Sequence, residues 1–545
     1  MRKVLITLLL PLISCSMEKT EADLIVHHAK VYILDEAFST AEAFAVAGGK
    51  IMETGTSRSI LSKYRSTNVL NLHGKFVYPG LIDAHCHFTE YGLSLRQADL
   101  SDTRSFNEVI DRLREHYKKN QGAWLLGRGW DQNDWERKEW PTRKQLDSLF
   151  PDIPVLIRRI DGHAALVNGE AIRRAGLTTA TVVKGGDIFI EKGSLTGLLI
   201  DNAIDLVAAI VTGPDPGEIR QSLLNAQADC FRVGLTSVHD AGLDAGMIYL
   251  IDEMNKTGAL KIRIYAMLTA NPENFEKYMY HGICQTDYLT VRSVKLYADG
   301  ALGSRGALMI EPYTDDPGNY GLQVADKDYL ERVCRDAYDH GYQVNTHCIG
   351  DAANRLMLDI YGSILREKND RRWRIEHAQI IHPADFAKFG RYSVIPSVQP
   401  THATSDMYWA ADRIGTERLH SGGYALKRLL VQNGWLAAGS DFPVEDINPL
   451  YGFYAAVVRK DIKGYPAQGF QMEDALSREE ALRAMTTWAA RAAFEEHIKG
   501  SLEPGKFADF IVTEKDLMTI HEQEIPAVKV LLTFTGGEQV YPALK

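Results

Sequence analysis

The chain has 545 residues, 45% of them hydrophobic and 24% charged, with a formal net charge of -10. This length is too great for one plain domain but suits a barrel with additions, and the composition supplies ample material for a large core. The acidic balance and the lack of any basic run argue against a nucleic-acid binder; a solvated acidic surface accounts for the charge, which says nothing about substrate, and a small-molecule substrate is expected.

In chain order, the first element is a targeting segment. Arg2 and Lys3 precede the apolar run Val4 to Ile13, which is too short to span a bilayer as a stable helix and ends in Ser14-Cys15. The layout resembles a bacterial lipobox, so residues 1–22 are expected to be a lipoprotein signal peptide and tether. Cys15 would then carry the lipid that holds an exported protein to a membrane of the bacterial cell envelope, on its periplasmic or surface side; a plain secretory signal cut elsewhere is the alternative. The other cysteines, Cys86, Cys230, Cys284, Cys334 and Cys348, are scattered without a C-x-x-C pair, which argues against both a zinc ribbon and a disulfide scaffold.

Residues 23–80 read as short strands punctuated by glycine, and residues 490–545 resume that character in "GKFADFIVTE" and "AVKVLLTFTGGEQVY". Exposed strands need partners, so both ends are expected to build one small sheet domain. Between them, residues 81–489 alternate apolar strands with helical stretches. The strand ending at His87 is followed by "GLTSVHDAG", "KIRIYAMLT", "VRSVKLYADG", "YQVNTHCIG", "RWRIEHAQII", "YSVIPSVQPTH" and "WLAAGSDFPV". Eight strands alternating with helices predict an α/β fold, a (β/α)8 TIM-like barrel whose reactive residues sit at strand C-terminal ends. The interval before the second strand far exceeds one barrel unit, which places an insertion at about 95–228, where a lid or substrate pocket is expected.

The strand end Asp83-Ala84-His85-Cys86-His87 carries the strongest chemical signal. Side chains alternate along a strand, so His85 and His87 face one way and Cys86 the other. Two imidazoles on one face can grip a metal ion, although an isolated H-x-H also occurs as two ordinary polar residues near a turn. Lys295, His347, His377 and Asp441 each fall at the end of a later strand, and the joint pattern points to one metal site. Near it, Trp130, Asp131 and His163 in the insertion, Arg305 after the fourth strand and His402 after the seventh are candidate substrate-binding residues. Packing of the inserted domain is the competing role for Trp130.

These motifs, with "GRGWDQNDW", "RRIDGHAALVN", "VKLYADGALGSRGA", "NTHCIGDAA" and "GSDFPVE", resemble the metal-dependent amidohydrolase superfamily over nearly the whole mature chain. The branch most similar is the amidohydrolase 3 family, which includes N-substituted formamide deformylases. The resemblance implies a β-sandwich from the two chain ends beside the barrel, here 23–80 with 490–545. It implies His85 and His87 as first-strand ligands, Lys295 as a carboxylated lysine bridging two metals, His347 and His377 as ligands of the second metal, and Asp441 as both ligand and catalytic proton shuttle. Such a donor set suits zinc, with two ions bridged by carboxylated Lys295 or a single ion if Lys295 is unmodified. The implied activity is hydrolysis of a non-peptide C–N bond in an amide, N-substituted formamide or cyclic amide. A hydrolytic deaminase on the same barrel is the alternative, disfavoured because "HCIGDAA" offers Asp351 where a glutamate is usual; a non-catalytic solute-binding lipoprotein is the third reading. A homo-oligomer is compatible with all three.

Overall fold

The computed structural model describes residues 18–543 apart from 121 and 212. The signal segment and Cys15 lie outside the described residues. At its centre is a TIM-like barrel of eight parallel strands: β1 (Leu81–Cys86), β2 (Leu235–Leu243), β3 (Arg263–Thr269), β4 (Leu289–Tyr297), β5 (Gln343–Cys348), β6 (Arg374–His377), β7 (Ile395–Val398) and β8 (Ala437–Ala438). They pair in sequence order from β1 to β8. Parallel strands in a barrel are covered on both faces, which is why they read as apolar runs; all six residues of β1 and all six of β5 are buried.

The ring closes where the chain's first and last barrel strands meet. Asp441 N–H donates to His85 O at 2.8 Å, and His87 N–H donates to Phe442 O at 2.8 Å. The buried Asp83 carboxylate reinforces this seam by accepting from Ser440 Oγ at 2.6 Å and from Ser440 N at 3.1 Å.

The chain ends form a sandwich of two sheets. One is N-terminal throughout, in the order Lys50–Gly55, Ala43–Ala47, Leu24–His27, Val69–Asn71. The other joins both termini, with Phe510–Thr513 antiparallel to Phe76–Pro79. Inward-facing Val26, Phe44, Val77, Phe510, Val512 and Phe534 share one apolar cluster between the sheets, where Phe510 and Phe534 stack with ring centroids 4.3 Å apart.

After β1 the chain leaves the barrel to build a third, six-stranded sheet in the order Ala98–Asp99, Leu125–Trp130, Val155–Arg159, Ala164–Val167, Ser194–Asp201, Gly186–Glu191. The helix Pro216–Arg232 that follows starts on a capping box of Asp215 and Glu218. Its apolar face, with Leu223, Ala226, Cys230 and Phe231, packs into the barrel's core rather than the inserted sheet's. The inserted unit runs on through the helix Asn202–Ala208, which packs on this sheet, and ends short of the expected 228 because the residues from 216 onward cover the barrel. Among the described residues, no helix is long and apolar enough to cross a membrane.

Candidate active site

The C-terminal ends of the barrel strands open into a cavity of about 1420 Å³, walled on its far side by the inserted domain. His87, Lys295, His347, His377, Asp441 and His402 line the barrel side, and Asp131, Asp161, His163 and Asp201 the opposite wall. His85 lies just beneath, fully buried.

The six candidate ligands converge. Asp441 Oδ1 is 3.4 Å from His85 Nε2 and 3.4 Å from His87 Nε2. Lys295 Nζ is 3.1 Å from His85 Nε2. The His377 ring lies 4.9 Å from that of His85 and 4.6 Å from that of His347, centroid to centroid. His85, His377 and Asp441 each offer one donor atom, all within 4.8 Å of one another.

Neighbouring groups fix which nitrogen of each ring is free. His85 Nδ1 lies 2.6 Å from Glu376 Oε2, and His377 Nδ1 lies 2.7 Å from Gln399 Oε1. A carboxylate and an amide oxygen only accept, so both rings carry their proton on Nδ1 and leave the Nε2 lone pair available. Asp441 Oδ1 is buried with no hydrogen-bond partner among the described residues, as is His402 Nε2. Buried carboxylate oxygens normally have donors. An orphaned one 3.4 Å from two imidazole Nε2 atoms, with that of His85 left unprotonated by Glu376, belongs to a donor set that fits a divalent cation.

The backbone helps to aim these groups. His377 and Asp441, at or just beyond strand ends, hold φ values of +72° and +64°. Neither is glycine, so each position is strained and persists only because its surroundings enforce it. The turn at His377 carries it to the cavity while its strand neighbour Glu376 reaches His85 from below. Glu376 and Gln399 were not candidates from the sequence; a glutamate inside the apolar strand "RIEHA" was the available signal for the first.

Burial sets the protonation states. It pushes the Lys295 amine down to about 8 and lowers the His347 and His377 imidazoles well below their ordinary value. Burial opposes charge on Asp441 as well, but the neighbouring His87, His377 and His85 rings outweigh it and hold the carboxyl well below the usual range. His163 behaves oppositely. Burial disfavours its cation, yet Asp201, 2.6 Å from Nδ1, dominates and raises the imidazole to about 9.

The candidate substrate contacts divide. Asp131, His163 and His402 face the cavity. Trp130 does not: it is fully buried in the inserted domain's apolar cluster, with Nε1 donating to Ile157 O at 3.1 Å. Strand alternation alone would put Trp130 on the same face as Arg128, but the register shift between them, at Gly129 with a φ of +110°, turns Trp130 into the local core. Arg305 also stands apart from the cavity lining, because its guanidinium is engaged by both oxygens of Asp315, at 3.1 and 2.9 Å. Asp131 and Asp161 are both ion-paired to buried Arg159, whose Nε donates to Gln132 at 2.8 Å.

Comparison with known proteins agrees with this geometry. A family model described as amidohydrolase family (Amidohydro_3) matches residues 68–541. Protein LONG AFTER FAR-RED 3 of Arabidopsis thaliana is 35% identical, over 96% of this chain and 92% of its own. N-substituted formamide deformylase of Arthrobacter pascens is 24% identical, over 94% and 97%. The crystal structure of an uncharacterized metal-dependent hydrolase from Pyrococcus horikoshii OT3 superposes with a TM-score of 0.74 at 29% identity, covering 92% of this chain and 99% of that one. The chain belongs to the amidohydrolase family of metal-dependent hydrolases.

Proposed function

We propose that this amidohydrolase cleaves a non-peptide C–N bond, in an amide, N-substituted formamide or cyclic amide, with zinc held by His85, His87, Lys295, His347, His377 and Asp441. The observation that carries the reading is the orphaned Asp441 Oδ1, 3.4 Å from two imidazole Nε2 atoms. Two ions are proposed, bridged by Lys295 in carboxylated form. An ammonium would repel a cation, whereas burial that lowers the amine to about 8 leaves an appreciable neutral fraction, the form that captures CO2.

Zinc bound there would lower the pKa of water and polarise a substrate carbonyl. The residues supply the rest. Asp441, ionised and aimed into the cavity, takes the proton of the attacking water and returns it to the departing amine. Glu376 and Gln399 hold His85 and His377 with Nε2 free. His402 Nε2, unpartnered and 3.8 Å from Asp441 Oδ2, is placed to donate to the oxygen of the tetrahedral intermediate. The deaminase alternative needs a proton donor after His347, but Asp351 spends its carboxylate on the Ile310 N–H at 2.8 Å and does not line the cavity. We place the enzyme in the cell envelope, tethered through Cys15, on the strength of its N-terminal sequence.

The test is metal analysis of purified protein together with release of formate or amine across a panel of formamides, amides and lactams. Metal-free active protein would sink the mechanism, and full zinc loading without turnover would favour solute binding. Lys295→Ala should lose zinc and regain part of it with short-chain acids.

A further inference from the structure

We infer that Arg128 and Arg158 of the inserted sheet form a subsite for a carboxylate carried by the substrate; this rests on the hydrolase reading above and names what its substrate presents. The two arginines are register partners on adjacent parallel strands, so their side chains leave the same face. Both line the cavity. Arg128 is only 7% exposed, and although Nη2 donates to Ile160 O at 3.0 Å, Nε and Nη1 have no partner among the described residues. Arg158 is half-buried.

Among the described residues, buried Arg374, Arg413 and Arg459 each keep one nitrogen without a partner, and Arg128 keeps two. Arg159 has Asp131, Asp161 and Gln132, and Arg413 has Asp315 and Asn133. Three acids stand near the unmatched pair without matching it. Glu90 Oε1 stays 3.9 Å from Arg128 Nε. Asp99, in the same row of the sheet, gives Oδ1 to the Ser101 N–H. Asp205, which also lines the cavity, makes no ion pair with Arg158 among the described residues, and burial raises its carboxyl above the usual value.

Buried guanidinium nitrogens without acceptors are costly unless a ligand supplies them, and a planar oxyanion is the natural partner of two adjacent guanidinium groups. Glu90 also sets the distance. Its second oxygen is 3.9 Å from His87 Nδ1, so at most two such gaps and the width of one carboxylate separate Arg128 Nε from His87 Nδ1. The substrate is therefore a small amide whose carboxylate lies a few bonds from the cleaved C–N bond.

The test uses zinc-loaded full-length protein with N-formylphenylalanine and its methyl ester, and calorimetric titration with phenylacetate against phenylacetamide. The free acid should be preferred in kcat/KM and phenylacetate should bind more tightly. Each preference should fall about tenfold in R128M and again in R158M, the worth of a charge-assisted hydrogen bond, with zinc content equal to the parent's. Should R128M not fold, because Ile160 O loses its donor, R158E carries the test and must reverse the preference. Unchanged preferences in the single and double variants would overturn the subsite. If the parent hydrolyses neither formyl compound but phenylacetate affinity still follows the arginines, the formamide reading fails and the subsite stands.

Discussion

The two sides of the cavity solve opposite problems. Outside the Arg128–Arg158 pair, the central charges of the inserted wall match one another: Arg159 neutralises Asp131 and Asp161, and Asp201 holds His163. The barrel floor is left incomplete, with Asp441 Oδ1 and His402 Nε2 unpartnered and with His377 and Asp441 in strained backbone conformations. Rigid strand ends can hold an unsatisfied donor set that a loop would let collapse. Chemistry is thus concentrated where the structure demands completion, and shape where it does not.

That contrast can be broken in graded steps. The largest effect belongs to the floor. Asp441→Asn keeps the shape but removes the proton acceptor, so hydrolysis should slow by about 10³-fold or more while the melting midpoint barely moves; steady-state kinetics beside thermal unfolding would show it. On the wall the expected pattern is reversed. Arg159→Met strands two partly buried carboxylates around a buried site and should cost about 3 kcal/mol in denaturant unfolding, with zinc per folded molecule unchanged. A loss well under 1 kcal/mol would mean that the wall does not depend on its own ion network.

Smaller still, Glu376→Gln should weaken zinc affinity ten- to a hundredfold in competition with a chelator, because the group that orients His85 loses its charge. The smallest effect is a pH dependence. His163 is raised from 6.5 to about 9 in the fold, so its pairing with Asp201 stabilises fully below about pH 6.5 and is lost as pH rises through 9. His163→Gln should flatten that decline in melting midpoint by about a degree or two. An unchanged slope would remove His163 as its source.

The barrel was legible because its strands are buried on both faces and several carry a polar residue at or near their C-terminal ends, among them His87, His347, His377 and Asp441. The brevity of β8, two residues, was not, since it is held by the Asp83–Ser440 contacts rather than by its own length. Alternation correctly separates Cys86, which packs in the apolar layer, from His85 and His87. The same rule would send Glu376 and His377 apart, and it takes the left-handed turn at His377 to bring both to His85. Trp130 and Asp131 are adjacent in sequence yet one enters a core and the other a cavity. Arg305 is claimed by Asp315, a loop contact that no periodicity foretells.

The seam between β1 and β8 has a temporal meaning. His85 and Asp441 are brought together by the same backbone hydrogen bonds that close the ring, so the ends of the barrel must both exist before any ion can be gripped. Under the proposed ligand set, the nascent chain would carry its histidines for most of its length without a functional centre, which the arrival of the last strand would complete. Metal uptake would then serve as a timestamp for completed folding.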